Sequence, residues 1–272
     1  MRLVNIRPGR QTRFYLLALP FLLVAIAYFA SSGARLAQNP NDKLLPALPS
    51  MVQAVKQMAF EVDPRTGGYL MASDTVASLG RLGSALAIST TAALVLGIVI
   101  GLLPGAHALL GPFVSVTSMV PPLALLPILF IVMGLGENSK IALIVIGTLP
   151  CMIRDLAMKV QELPREQIVK AQTLGASTWQ IALRVAMPQT LPRLIDVLRL
   201  QLGPAWLFLI AAEAIASDSG LGYRIFLVRR YLAMDVIIPY VAWITLLAFL
   251  IDVGLRVLQR RAFPWFASVR AE

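Results

Sequence analysis

Residues 160–192 read VQELPREQIVKAQTLGASTWQIALRVAMPQTLP, a polar and charged stretch in a chain otherwise made of long apolar runs. They spell two short helices and a tight elbow. Pro164 suits a first helical turn, where its missing N–H costs nothing. Gly175 suits the left-handed position that ends a helix. Ser177 and Gln180 have the spacing of a capping box, in which hydroxyl and amide each satisfy an orphan backbone donor. Pro188 is then expected to stop the second helix. Such an object in water between membrane spans calls for a soluble partner.

The rest of the chain supplies those spans. Of 272 residues 58% are hydrophobic and only 14% charged, and the mean hydropathy is +0.75, far above that of soluble domains of this length. The formal charge of +10, from 24 Lys and Arg against 14 Asp and Glu, reads as the cytoplasmic positive bias of a polytopic membrane protein. It does not call for nucleic acid. The single cysteine, Cys151, allows no internal disulfide, and its neighbours TLPCMIRDL belong to the inner end of a span. The stretch itself holds Arg165, Lys170 and Arg184, with Arg154, Lys159 and Arg193 beside it. This places it in the cytoplasm.

Upstream lies a fourth span, residues 141–152, entered through the turn GLGENSK at 134–140. That turn does not meet GxxxxGK[ST], and nothing else in the chain does, so nucleotide hydrolysis is not expected here. The third span, 109–133, carries Pro121, Pro122 and Pro127 in its middle. Broken backbone at membrane depth is tolerated where it is buried in protein or lines a cavity. Residues 118–128, with Ser118, Pro121 and Pro122, are therefore the first candidates for a substrate pathway. His107 reads as a headgroup-level loop residue. Gly97 and Gly101 in the second span form a GxxxG pair suited to close packing within the chain, and Asp74 reads as that helix's cap.

Residues 35–73 read as an extracytoplasmic segment, with a proline-broken turn and a short amphipathic helix in LLPALPSMVQAVKQMAF. A first span covers 14–30. Arg2, Arg7, Arg10 and Arg13 precede it, and it reads as retained, with the N-terminus inside.

Downstream, a fifth span covers 194–216, with Asp196 and Arg199 three apart on one face. Glu213 falls near its outer end, where capping, gate pairing and substrate contact are all open. Residues 225–234 are too short to span and read as a re-entrant or surface helix. A sixth span, 236–255, returns inward, with Asp252 and Arg256 as an i,i+4 pair and Arg260, Arg261 and Trp265 at the inner headgroups. The expectation is an all-α membrane protein of six spans with both termini cytoplasmic. It divides into an N-terminal span and extracytoplasmic segment at 1–73, a core at 74–257 containing the loop 157–192, and a tail at 258–272. An ion-coupled carrier would want midplane ionisable groups or repeated broken helices. An intramembrane enzyme would want a catalytic pair. Neither is visible.

The stretch resembles the EAA loop of binding-protein-dependent ABC importer permeases, through AQTLGAS at 171–177 and VAMPQTLP at 185–192. Further likeness to the nitrate, sulfonate and taurine branch lies in PPLALLPI at 121–128, GLGENSK, AAE at 211–213, GLGY at 220–223 and LRVLQRRAFPW at 255–265. The resemblance implies the type I importer permease fold in a bacterial inner membrane, a second copy of the chain, two ATPase subunits carrying ATP and Mg, and a periplasmic binding protein. No cofactor is implied for this chain. ATPase coupling is implied for Glu166, Val169, Lys170, Ala171, Thr173, Leu174, Gly175 and Ala176. The usual Glu-Ala is Val169-Lys170 here, which leaves Glu166 to stand in for the family's acidic contact. Anion importers of this branch carry Arg-Pro where Ser118-Met119 stands. Together with NPNDKLLP and YRIFLVRRYLAMDV, the sequence is similar to permeases linked to urea carboxylase, which implies a guanidine or urea-like substrate. Nitrate, sulfonate or taurine is the alternative.

Overall fold

A computed structural model describes residues 9–39, 42–64 and 67–269. Arg2 and Arg7 of the basic arm, and Pro40 and Asn41 of NPND, lie outside the described residues. The described elements are helices: α1 (Arg10–Gln38), α2 (Leu48–Phe60), α3 (Leu70–Leu102), α4 (Pro104–Thr117), α5 (Leu126–Met133), α6 (Glu137–Gln161), α7 (Arg165–Thr173), α8 (Thr178–Ile181), α9 (Met187–Ile215), α10 (Leu221–Arg229), α11 (Met234–Ala262) and α12 (Pro264–Val269). Among the described residues five stretches are long and apolar enough to cross a membrane, and α4 with α5 makes a sixth if the pair, bent by 81°, counts as one span.

In lipid the hydrophobic effect does not press helices together, so close packing must do it. Small residues allow this between α3 and α6. A β-carbon on Gly97 would stand 2.9 Å from Leu156 Cβ, and one on Gly101 2.5 Å from Val160 Cβ. The GxxxG pair thus packs within the chain, as expected. Between the same helices the fully buried hydroxyls of Ser89 and Thr148 lie 2.9 Å apart.

These contacts set the direction of every core helix. The ends of α3 and α6 that meet at Gly101 and Val160 adjoin the start of the elbow, and Gln259 of α11 donates to Pro192 O at the same end. The starts of α3, α6 and α11 meet the end of α9 at the opposite, far end. The first span, α1, leans on the rest through Tyr28 and Ser32, which donate to the carbonyls of Pro46 and Leu45.

Four local expectations change. The helix does not stop at Pro188. Residues Ala182–Ala186 widen into a π turn and the rod runs on from Thr178 to Ile215. A proline leaves the carbonyl four residues earlier without its donor, and the wider turn accommodates the ring. Gln189 and Thr190 then donate from their side chains to Val185 O and Ala186 O. The fourth span is longer than 141–152, because α6 already starts after Gly136. His107 lies inside α4, its Nδ1 3.0 Å from Gln161 Nε2. Asp74 is no cap: α3 begins earlier, at Leu70, and its carboxylate is held by Arg224.

Candidate functional site

The elbow is rigid for local reasons. Gly175 has φ +79°, and its N–H and that of Ala176 donate to the carbonyls of Gln172 and Ala171 at 2.9 and 3.0 Å. This double bond is the Schellman ending of a helix and requires the left-handed residue. Ser177 N donates to Gln180 Oε1 and Gln180 N to Ser177 Oγ, at 2.8 and 3.3 Å, so the capping box forms as read. Gln189 of α9 donates to Gln167 of α7 at 2.9 Å, tying both arms. Below them Leu163 is buried with Val160, Ile98 and Ala186.

The outer face of the elbow is open. No side chain of α7 is buried. Glu166, Lys170 and Thr173 are exposed, and Ala171 and Ala176 are half-buried. Three apolar groups stand out from this polar surface: Val169, Leu174 at 87% exposure, and Trp179. Beside its root, Lys159 donates to Glu162 at 2.8 Å and holds that carboxyl below its usual range, with Arg193 adding at 3.6 Å.

The second place is the break between α4 and α5. Ser118 is the C-cap of α4, Pro121 is extended and exposed, and Pro122 starts a 3₁₀ turn of Pro122–Leu125. The Ser118 hydroxyl donates to Ser115 O and accepts from Arg154 Nη1 of α6 at 3.1 Å. Three of the four pathway candidates therefore stand together. The fourth does not join them.

Glu213 belongs to a lattice of charges at the far end. Its Oε1 accepts from Ser78 Oγ and Arg81 Nη1, both at 2.7 Å, and its Oε2 from Gly222 N at 2.8 Å. Arg81 continues to Ser219 O and to Glu137, and Lys140 donates to Glu137 at 2.9 Å and Ser217 at 3.1 Å. Alongside, Asp74 accepts from Gly220 N at 3.0 Å and Arg224 Nε at 2.8 Å, and Tyr240 reaches it at 3.4 Å. Asp74 and Glu213 are fully buried. Gly220, at φ +126°, lies where a β-carbon would meet the Glu213 carboxyl at 2.5 Å. Both Glu213 oxygens are taken by protein donors, so in this arrangement it is a tie between α3, α9 and α10. Sequence reasoning missed Asp74, Ser78, Arg81, Glu137, Lys140 and Arg224 as partners, because they are far apart in the chain.

Among the described residues, no three His, Cys, Asp or Glu side chains converge as a metal site would need.

Residues 75–265 match the family described as the inner membrane component of binding-protein-dependent transport systems. The chain is 36% identical over 226 residues to the taurine transport system permease protein TauC of Escherichia coli (strain K12), covering 82% of each. It is 28% identical over 191 residues to the bicarbonate transport system permease protein CmpB of Synechocystis sp., covering 70% of this chain and 68% of that one. Among solved structures, a chain of the MetNI methionine ABC transporter in an inward-facing conformation superposes with a TM-score of 0.64 at 18% identity, covering 71% of this chain and 96% of that one.

Proposed function

The chain belongs to the family of inner membrane components of binding-protein-dependent transport systems, and from that premise we propose that the 165–181 elbow is the surface on which separate ATPase subunits drive it. The observation that carries this reading is the elbow's build. It is locked by its own caps, tied back to α9, and exposes Val169, Leu174 and Trp179 with nothing among the described residues to cover them. Exposed apolar anchors within a polar rim are what a protein interface uses. ATP and Mg are then bound by the partner. The working assembly is two copies of this chain, two ATPases at the elbow end and a substrate-binding protein at the far end, with both termini on the elbow side in the cytoplasm. Glu166 and Lys170, exposed on α7, are the charged contacts, and Ser118, Pro121 and Pro122 line the pathway. Glu213 holds the far end closed in the present arrangement and acts on the pathway by release of that tie.

For the cargo, the resemblance of the whole sequence supports a guanidine or urea-like nitrogen compound. A small oxyanion is the second reading. The Arg154 guanidinium stands against Ser118, so a cation is present at the pathway wall after all, and TauC and CmpB are named for taurine and bicarbonate transport. The test is uptake into proteoliposomes holding the permease and its ATPase. Transport that needs both ATP and binding protein, and is lost in Leu174→Asp, supports the reading; uptake driven by an ion gradient alone overturns it. A thermal-shift screen of the neighbouring binding protein against taurine, nitrate, bicarbonate, urea and guanidinium decides the cargo.

A further inference from the structure

Between α4 and α6 lies a cavity of about 460 Å³, in the size range of small-molecule sites. Small residues on both walls, Ala108, Gly111 and Ala157, make the room. His107 and Gln161 stand at the elbow end of the groove, and Arg154 lies farther in. Arg154 precedes the last residue of α6 by seven positions, roughly 10 Å along the helix axis. An arginine inside a span is costly and is a functional hypothesis by default.

Its partners do not account for it. Arg81, Arg199 and Arg224 each hold a carboxylate oxygen at 2.6 to 2.8 Å. Among the described residues Arg154 makes one hydrogen bond, to the Ser118 hydroxyl at 3.1 Å, and its one ion-pair contact is Asp155, 3.9 Å from Nε. Its side chain is 42% exposed, and Nη2 has no protein partner among the described residues. The Ser115 hydroxyl lines the same cavity and likewise has no partner among the described residues. The polar groups that line the groove are His107 and Ser115 of α4 and Arg154 and Gln161 of α6, with Asp155 beside Arg154. A guanidinium with open donors, flanked by a free hydroxyl in a cavity with room for a small solute, matches the planar fork an oxyanion requires.

We propose that the α4–α6 groove is an oxyanion site in which Arg154 binds a sulfonate, carboxylate or phosphate group, with the Ser115 hydroxyl donating beside it. The oxyanion has two sources, a small anion on its way through the permease or the phosphate of an anionic lipid entering from the elbow-side leaflet. The site depends on the permease reading only for its membrane setting. Its test needs neither ATP nor transport, so failure of one is separable from failure of the other.

The experiment uses the full chain with its co-purified ATPase, without nucleotide, in nanodiscs of phosphatidylcholine alone. Methanesulfonate is titrated by calorimetry, with methylguanidinium as the cationic control. Saturable methanesulfonate binding is expected, weakened at least about tenfold in Arg154→Gln, the loss of a charge-assisted pair, and less in Arg154→Lys, which keeps the charge without the fork. Ser115→Ala should weaken it by a smaller factor, and an unchanged melting temperature shows that the variants fold. In discs containing phosphatidylglycerol, native mass spectrometry reads the lipid arm: retained lipid that is lost in Arg154→Gln, without methanesulfonate binding, assigns the site to headgroups. Equal binding by wild type and Arg154→Gln in both arms, no binding in either, or preference for methylguanidinium would overturn the proposal.

Discussion

Arg81 Nη1 donates to Glu213 Oε1 across 2.7 Å, and the two side chains expose 6% and 0% of their surface. Removing one partner of a buried pair strands the other charge, which costs about 3–5 kcal/mol, whereas removing both together is often close to neutral. Arg81→Met should therefore lower the melting temperature of the detergent-solubilised protein strongly, and Arg81→Met with Glu213→Gln should recover most of the loss. Equal melting of the single and double variants would mean that Glu137 and Lys140, not this pair, carry the far end.

Gly175 has open space around its α-carbon, and only its backbone angle excludes side chains. Gly175→Ala pays about 1–2 kcal/mol for the left-handed conformation, and asparagine pays less. Gly175→Pro also loses the N–H that bonds Gln172 O. Coupling of ATP hydrolysis to uptake should fall in the order Gly, Asn, Ala, Pro, with ATPase co-purification lost in the last. A Gly175→Pro complex that copurifies and couples normally removes the elbow from the mechanism.

Gly101 gives the packing test. A methyl there meets Val160 Cβ and, at 2.9 Å, the carbonyl of Ala157. Backbone cannot step aside as a flexible side-chain tip can, so α3 and α6 must separate. Overpacking of this kind costs about 1–3 kcal/mol. Gly105→Ala meets nothing within 4 Å and serves as the control. Melting curves that fail to distinguish the two variants would refute the close contact.

Glu162 sets a pH dependence at the root of the elbow. Its carboxyl is depressed by Lys159 first and Arg193 after it. A depressed carboxyl stabilises the fold fully above the unfolded value, near 4.3 for glutamate, and the contribution is lost as pH falls through the folded value. Hydrogen exchange of residues 162–165 should quicken as pH drops below about 4, after correction for intrinsic rates, and should lose that step in Glu162→Gln. The pair is exposed, so the effect is local and salt-sensitive.

The elbow could be read before the fold because its determinants are neighbours: Gly175 with Gln172, Ser177 with Gln180. The bent span could be read because a proline removes its own donor whatever surrounds it. The far-end lattice could not, since Asp74 meets Arg224 and Arg81 meets Glu213 across about half of the chain. Asp74 looked like a cap for want of its real partner. Pro188 misled for the opposite reason: its local rule is correct, but a π turn satisfied the rule without ending the helix. Ser118-Met119 suggested a stretch without positive charge, and the guanidinium that stands against it comes from α6.

That unbroken passage through Ala182–Ala186 makes one lever of two places that the sequence keeps apart. The 38 residues Thr178–Ile215 reach roughly 57 Å at 1.5 Å per residue, nearly twice the ~30 Å hydrocarbon thickness, so the surplus projects as a handle into water. No loop lies between handle and tip to absorb a displacement. Pivoting at the bilayer centre by about 10° would swing Glu213, roughly 15 Å from that centre, sideways by roughly 3 Å, enough to open its hydrogen bonds. A push on the elbow therefore arrives at the far end as torque on the Arg81–Glu213 tie.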